Sequence, residues 1–184
     1  DSTDNLYIAA KVRHEIQTID AEGNFVLKFG KHSSSQDFAT KPPGGYFRQS
    51  GGLRSLGGIA IDSQDNVFVV DGADGRIQKF NSSGQFLREI TGPQSCRRNR
   101  RWESAEFCGA GFAFDTSPGM QGIAIDSQDN LYLAEGASHQ ILKFDSDHYL
   151  VKKWGGQGCG RGQFQRGGNG VGGVAIDQKD NVYV

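Results

Sequence analysis

The sequence lacks most of the features that mark a helical, membrane-spanning or enzymatic chain. No window of its 184 residues carries a sustained apolar stripe with the 3.6-residue helical period, so few helices are expected. No apolar run is long enough to span a membrane, and no leader segment is visible. The Gly-x-Ser-x-Gly, His-Glu-x-x-His and phosphate-loop motifs are also missing. These absences favour a chain that is not an enzyme.

Metal-ligating residues are scarce. The chain has four histidines, too few for a set of ligands that converge on one axis, and its three cysteines lack Cys-x-x-Cys spacing. We therefore expect neither a metal nor a cofactor. Cys96 and Cys108 bracket a basic segment and are candidates for a local disulfide, which would imply an oxidising compartment; free thiols are the alternative. The histidines are His14, His32, His139 and His148, and the third cysteine is Cys159.

What the sequence does have is an internal repeat. The phrase Gly-Ile-Ala-Ile-Asp-Ser-Gln-Asp-Asn begins at Gly58 and again at Gly122. A related copy begins at Gly173, and a shortened copy begins at Asp1. A fixed repeat predicts one structural unit stacked on copies of itself. The chain therefore begins and ends inside a unit, and we expect open sheet edges at both ends.

Each unit consists of four short apolar runs separated by clusters of Gly, Asn, Asp and Ser, a pattern typical of an antiparallel meander. The first run is apolar on consecutive residues, as in a strand covered on both faces. Four-stranded units that cannot bury their faces alone stack radially into a β-propeller. We predict an all-β fold, an incomplete β-propeller of four-stranded antiparallel blades, with about three blades plus a partial one.

The predicted organisation is a single propeller segment, 1–184, in which long linkers alternate with blades. Linkers of this length inside a compact domain are usually functional or disordered. The predicted boundaries are a partial blade 1 at 1–29, linker 30–57, blade 2 at 58–90, linker 91–121, blade 3 at 122–154, linker 155–172 and a partial blade 4 at 173–184.

The repeated residues resemble NHL repeats. The resemblance rests on Gly-Ile-Ala-Ile-Asp, Asp-Asn-Val-Phe-Val, Ile-Gln-Lys-Phe and Gly-x-Phe-Leu, and it covers nearly the whole chain outside the linkers. Segments 13–16 and 138–141 occupy the place where that family often has Asn-His-Arg. The resemblance implies a ring that typically has six blades, so we expect further blades of a longer chain as partners. The resemblance says little about the function of the chain, because propellers host many unrelated activities.

The net charge of −1 conceals two faces of opposite sign. The linkers emerge on one face, here called the linker face, together with the turns between second and third strands. The three linkers carry ten Lys and Arg against four Asp and Glu. The turns of the opposite face carry twelve acidic residues against one lysine. The linker face should therefore attract anionic partners.

The acidic turns invite two interpretations. The first Asp of each phrase, at Asp62, Asp126 and Asp177, should accept hydrogen bonds from turn amides. A calcium site is the alternative, but Asp-x-x-Asp-Asn lacks the further ligands of an EF-hand loop.

We interpret the chain as a non-catalytic binding or scaffold module whose linker face binds a protein or an anionic polymer, in an extracellular or cell-surface setting. A cytoplasmic location is the alternative. RNA is an alternative ligand, because some NHL domains bind RNA on a basic face and arginines beside an aromatic ring suit single-stranded nucleic acid. A third interpretation is a fragment of a metal-dependent NHL-like lyase. The candidate binding residues are Arg97, Arg98, Arg100, Arg101, Trp102, Arg54, Arg161, His14 and His139.

Overall fold

In the computed structural model, the described residues are 1–32, 52–53, 56–72, 76–91, 120–136, 138–164 and 170–184. They contain strands and turns, and none of them is helical. No helix in these ranges is long and apolar enough to cross a membrane. The strands are β1 (Leu6–Ala10), β2 (Glu15–Ile19), β3 (Phe25–Phe29), β4 (Lys31–His32), β5 (Gly52–Leu53), β6 (Leu56–Ile61), β7 (Val67–Asp71), β8 (Arg76–Phe80), β9 (Phe86–Thr91), β10 (Met120–Ile125), β11 (Leu131–Glu135), β12 (Gln140–Phe144), β13 (Leu150–Gly155), β14 (Ala175–Ile176) and β15 (Val182–Tyr183).

These strands form antiparallel sheets whose order follows the chain. Strands β1 to β3 make blade 1, β6 to β9 make blade 2, β10 to β13 make blade 3, and β14 with β15 makes blade 4. Within the described ranges, blades 2 and 3 are thus four-stranded, which confirms the predicted all-β fold of four-stranded antiparallel blades. A short parallel pair, β4 with β5, was not expected from the sequence.

The apolar core lies between the blades. One cluster joins blades 1 and 2, a second joins blades 2 and 3, and a third joins blades 3 and 4. Strand β7 contributes side chains to two of these clusters, because successive side chains of a strand point to opposite faces of the sheet. Val67 and Val69 pack against blade 1, whereas Phe68 and Val70 pack against blade 3.

The strand that is buried on both faces is the second of each blade, whereas the sequence pattern led us to expect the first. Every residue of β7 and of β11 is buried, but β6 is mostly half-buried. The reason is position within the sheet. Strand β7 pairs with β6 on one side and with β8 on the other, whereas β6 is the edge strand.

The first Asp of each phrase caps its own turn. Asp62 Oδ1 accepts hydrogen bonds from the backbone N–H of Asn66 at 2.8 Å and of Gln64 at 3.0 Å. The same contacts recur at Asp126 and at Asp177, so the predicted use of these carboxylates is confirmed. The side-chain amide of Asn66 completes the turn by donating to Asp62 Oδ2 at 2.9 Å.

The second Asp of each phrase joins neighbouring blades. Asp129 of blade 3 accepts from the N–H of Ser63 in blade 2 at 2.9 Å and from its hydroxyl at 2.7 Å. Its φ of 61° lies in the left-handed region, which Asp tolerates better than most residues and which a repeated turn requires here. The equivalent pairs are Ser2 with Asp65 and Ser127 with Asp180. We call this series the Ser–Asp ladder.

Truncation of the aromatic rings between blades tests this core. Phe80 is 1% exposed, and Phe80→Ala should lower the free energy of unfolding by about 3–5 kcal/mol, because it leaves a cavity. Phe68→Ala should cost about the same for the same reason. Urea denaturation of the full chain measures both.

Leu87→Ala is the matched control, because Leu87 lies on β9 and is about half exposed. Its effect should stay within about 0.5 kcal/mol. Equal losses for Phe80→Ala and Leu87→Ala would contradict the described packing.

Candidate binding site on the linker face

The linker face begins at the turns between second and third strands. His14 in blade 1 and His139 in blade 3 occupy equivalent turn positions, each with a φ of 56°. The N–H of His139 donates to the carbonyl of Gly136 at 3.2 Å. Its side chain is only 8% exposed, and its Nδ1 has no hydrogen-bond partner among the described residues. His14 is half-buried, so these two histidines differ in accessibility.

A glycine-rich segment, 155–164, folds over the turn of His139. The N–H of Gly156 donates to the carbonyl of His139 at 2.6 Å, and the N–H of Phe164 returns to the carbonyl of Gly156 at 2.9 Å. Gly155, at a φ of 102°, leaves no room for a side chain, since a Cβ would meet the ring of Phe164 at 2.5 Å. We call this segment the glycine loop.

The side chain of Gln163 sets the outer half of the glycine loop. Its Oε1 accepts from the N–H of Gly160 at 3.0 Å and occupies the space that a side chain at Gly158 would need. Arg161 and the free thiol of Cys159 are exposed on this loop. The exposed guanidinium of Arg161 is therefore carried by a backbone segment that hydrogen bonds within the glycine loop hold in place.

A buried ionic network, which the sequence did not reveal, lies beneath this face in blade 2. Arg76 Nη2 is 3.3 Å from Asp71 Oδ2, and Arg76 Nη1 is 3.0 Å from Glu89 Oε2. Gln78 Nε2 donates to the same Asp71 oxygen at 3.4 Å. In the sequence, this network is indicated by an acidic residue, Asp71, and an arginine, Arg76, on either side of one short turn.

A more exposed version of this network occurs in blade 1. Gln17 donates a hydrogen bond to Glu15, and this contact, with Lys28 and Arg13 nearby, lowers the pKa of the Glu15 carboxyl. Lys28 Nζ is 3.6 Å and Arg13 Nη1 is 3.8 Å from the Glu15 oxygens. In blade 3, Ser138 donates a hydrogen bond to Glu135. The described carboxylates of the linker face are thus engaged, and the charges that stand exposed are cationic.

Most of the predicted binding residues lie outside the described residues. Of the candidates, His14, His139 and Arg161 belong to the described ranges. Among the residues that the structure describes, no three His, Cys, Asp or Glu side chains are grouped to hold a metal ion. The candidates outside those ranges are Arg54, Arg97, Arg98, Arg100, Arg101, Trp102, Cys96 and Cys108.

One histidine on the opposite face has a contact that the sequence did not predict. His148 has a φ of 73° at a turn position where the other blades have Gly23 and Gly84. Its ring lies against Phe68 of blade 2, with 5.3 Å between centroids. Burial lowers the pKa of His148, and the nearby Arg88 and Lys79 lower it further. We call the contact between His148 of blade 3 and Phe68 of blade 2 the histidine seam. It favours the neutral imidazole.

No protein-family model and no curated protein matches this chain. The solved structures with a similar fold include a hydrazine synthase from Kuenenia stuttgartiensis, with 11% identity, a TM-score of 0.56, and coverage of 96% of this chain and 37% of that chain. The WD40 repeats of RRP9 give 17% identity and a TM-score of 0.51, over 82% of this chain and 34% of theirs.

A third similar structure, a protein of unknown function from Bacteroides caccae, gives 13% identity and a TM-score of 0.50, over 97% of this chain and 48% of that chain. WD40 repeats form β-propellers, so the propeller architecture is confirmed. The chain spans between about a third and a half of the length of these matched proteins.

The histidine seam predicts a dependence of stability on pH. An ordinary His has a pKa of 6.5, and the folded value lies below it, so the unfolded chain binds the proton more readily. The stabilisation is complete above pH 6.5 and is lost as the pH falls through the folded pKa. His148→Gly, which places there the residue of the matching turns, should reduce the slope of melting temperature against pH below pH 6.5, down to about pH 5.

Thermal unfolding followed by circular dichroism measures this slope for the wild-type chain and for His148→Gly. His14→Gly is the matched control, because it changes a left-handed turn histidine that does not lie on Phe68. Identical slopes in the wild type and in His148→Gly would refute the role of this seam.

Proposed function

We propose that this chain is a non-catalytic binding module of the NHL type that uses the linker face to bind an anionic polymer or an acidic protein surface. The observation that carries the proposal is the arrangement of charge on the described part of that face. Lys11, Arg13 and Arg161 are exposed, whereas Asp71 and Glu135 are buried. An anionic ligand would meet cations before carboxylates, and such a surface steers anions toward itself.

The second argument is that the opposite face is occupied by internal bonding. Its repeated carboxylates cap their own turns or join adjacent blades through the Ser–Asp ladder. Their acidic charge therefore has a structural use. The linkers differ from one unit to the next in length and composition, as expected of segments that confer an individual specificity.

A second candidate ligand is single-stranded RNA. Trp102 stands beside four arginines in the linker 91–121, and bases stack on aromatic rings while phosphates pair with Arg. RNA and a sulfated glycan both carry anionic groups, so the two candidates differ in whether an aromatic ring is needed. Trp102→Ala should weaken RNA binding and leave glycan binding nearly unchanged.

The experiment is a four-site substitution, Arg97→Ser with Arg98→Ser, Arg100→Ser and Arg101→Ser. Binding is measured by fluorescence anisotropy with a labelled heparin oligosaccharide and with a labelled RNA oligonucleotide. The affinity of the wild-type chain should weaken as salt is added, and the variant should bind at least about tenfold more weakly. Stability should change by no more than about 0.5 kcal/mol per site.

The matched control removes four exposed cations away from the linkers, with Ser at Arg88, Lys152, Lys153 and Lys179. Equal loss of affinity in both variants would show that only net charge matters and would refute a linker-face site. A collapse of thermal stability in the first variant would show instead that the arginine segment packs against the blades.

The proposed extracellular or cell-surface location depends on the pairing of Cys96 with Cys108. Intact mass measurement of the non-reduced protein, purified from an oxidising expression compartment, should show one disulfide between these residues and a free thiol at Cys159. Three alkylatable thiols in that preparation would remove the argument for secretion and would favour a cytoplasmic location.

A further inference from the structure

One row of side chains crosses the sheet of blade 2 on the face that is turned toward blade 3. Ala60, Phe68, Lys79 and Arg88 are successive partners in the strand pairing from β6 to β9, so their side chains lie on the same face of the sheet. Phe68 belongs to the apolar cluster that blade 2 shares with blade 3. Lys79 and Arg88 therefore present two cations on that face, at directly opposed positions where like charges repel each other.

The two cations of this row differ in how their charge is compensated. The side chain of Lys79 is 15% exposed, and its Nζ lies 3.0 Å from a carboxylate oxygen of Asp62, which is itself buried. Arg88 is exposed, and among the described residues its guanidinium forms no ion pair and no hydrogen bond. Within that part of the chain, the charge of Arg88 therefore has no counter-ion, whereas the charge of Lys79 has one.

The histidine seam brings a third basic group to this row. Lys79 Nζ lies 4.8 Å from the centroid of the Phe68 ring, against which the imidazole of His148 is also packed. His148 Nδ1 is 2.7 Å from the carbonyl oxygen of Ser146. Because a carbonyl oxygen only accepts, Nδ1 carries the hydrogen and Nε2 carries the lone pair. That Nε2 is buried and has no hydrogen-bond partner among the described residues, so it is the atom that gains a proton when His148 becomes charged.

The carboxylates near this cluster do not neutralise Arg88. Asp145 Oδ1 accepts the N–H of Tyr149 at 2.8 Å within its own turn, and the exposed Asp147 forms no ion pair among the described residues. The effect of Asp62 on His148 is outweighed, because burial, Arg88 and Lys79 together lower the pKa of the imidazole. The electrostatic environment of His148 is therefore cationic, although the turns around it are rich in Asp.

The other described blades do not repeat this combination. The corresponding row of blade 1 is uncharged, and the turn of blade 2 that packs on blade 1 has glycine where blade 3 has His148; these residues are Tyr7, Thr18, Leu27 and Gly84. Blade 3 places Lys143 opposite Lys152, but no histidine of the described ranges lies against its Tyr132 ring. Two opposed cations and a histidine therefore occur together at one interface of the described chain, that between blades 2 and 3.

We propose that Arg88, Lys79 and His148 form a binding site for a tetrahedral oxyanion, a sulfate or phosphate group, at the interface between blades 2 and 3. The guanidinium of Arg88 donates two parallel hydrogen bonds to the anion, and the ammonium of Lys79 adds a second positive charge. The bound anion favours the imidazolium form, so His148 takes up a proton from solvent at Nε2. The site lies away from the linker face and does not depend on the ligand proposed there.

Sulfate is the first probe, because it keeps its charge over the pH range in which histidine titrates. Heteronuclear NMR of the full chain follows the imidazole signal of His148, which is identified by its loss in His148→Gly. Sulfate should raise the measured pKa of His148 by at least about 0.5, relative to chloride at equal ionic strength. Its affinity should rise as the pH falls below 6.5. A His148 titration that is the same in sulfate and in chloride would overturn the proposal.

Arg88→Gln removes the guanidinium from an exposed position and should weaken sulfate binding at least about tenfold. Lys152→Gln is the matched control, because Lys152 lies opposite Lys143 as Arg88 lies opposite Lys79, and the change in net charge is the same. It should leave the sulfate affinity and the pKa of His148 unchanged. Equal weakening in both variants would show a general effect of charge and would overturn the proposal.

Thermal unfolding gives a second readout. About 20 mM sulfate at about pH 5.5 should raise the melting temperature of the wild-type chain by about 2–5 °C more than that of Arg88→Gln, since a ligand that binds only the folded state stabilises it. Equal gains in the two proteins would show only the general stabilising action of sulfate and would contradict the site.

Competition distinguishes a free anion from an anionic ester. Inorganic phosphate and phosphoserine are each titrated into the sulfate complex, and displacement is followed on the same His148 signal. Stronger displacement by phosphoserine assigns the site to an ester group, whereas stronger displacement by inorganic phosphate assigns it to a free anion. Failure of both to displace sulfate would contradict a site that recognises tetrahedral oxyanions.

Discussion

A four-stranded sheet with two apolar faces cannot cover either face by itself, and the arrangement of this molecule follows from that constraint. Val67 and Phe68, consecutive residues of one strand, are buried in two different interfaces, so blade 2 needs a neighbour on each side. Apolar contact alone would allow blades to slide. The Ser–Asp ladder fixes their relative position, because Ser63 directs both its amide and its hydroxyl to one carboxylate.

The two faces of the molecule differ in how their side chains are used. On the acidic face most of the repeated aspartates cap their own turns or join adjacent blades, so these positions cannot change without loosening the stack. On the linker face, the glycine loop shows how a linker can be ordered by contacts of its own. Gln163 and Phe164 hold that loop from within, which leaves Arg161 exposed on a defined backbone. Under the proposed function, such a chain would change its ligand through changes in the linkers alone.

Most of the fold could be predicted because its signals are local. Turn residues between short apolar runs mark the strands, and Asp62 caps a turn within four residues of itself. What could not be predicted depends on residues far apart in the chain. Asp129 looks equivalent to any turn Asp until Ser63, 66 positions away, is found beside it. Arg76 was not distinguished because its burial depends on the assembled blade. The arginine segment 97–101 was proposed on composition and spacing, which do not determine where a side chain points.

The interface between blades 2 and 3 contains two departures from the repeat, Phe68 and His148, which contact each other. Tyr7, Tyr132 and Tyr183 each donate a hydroxyl hydrogen bond to the first Asp of their phrase, at 3.0 Å. Phe68 has no hydroxyl, so Asp62 keeps only the contact with Lys79 Nζ, at 3.0 Å, which corresponds to that of Lys143 with Asp126 at 3.3 Å. The ring of Phe68 lies against the imidazole of His148, whose pKa is lowered first by burial and then by the nearby Arg88 and Lys79.

Two kinds of contact in this repeat array respond to acid in different pH ranges. The hydrogen bonds from Asn181 lower the pKa of Asp177 to about 2, so the stability of its turn is complete above an ordinary Asp value of 3.8 and is lost only as the pH falls toward 2. An interface that includes a neutral histidine responds below pH 6.5 instead. The capped turn of Asp177 and the contact of His148 with Phe68 therefore lose stability in different pH ranges.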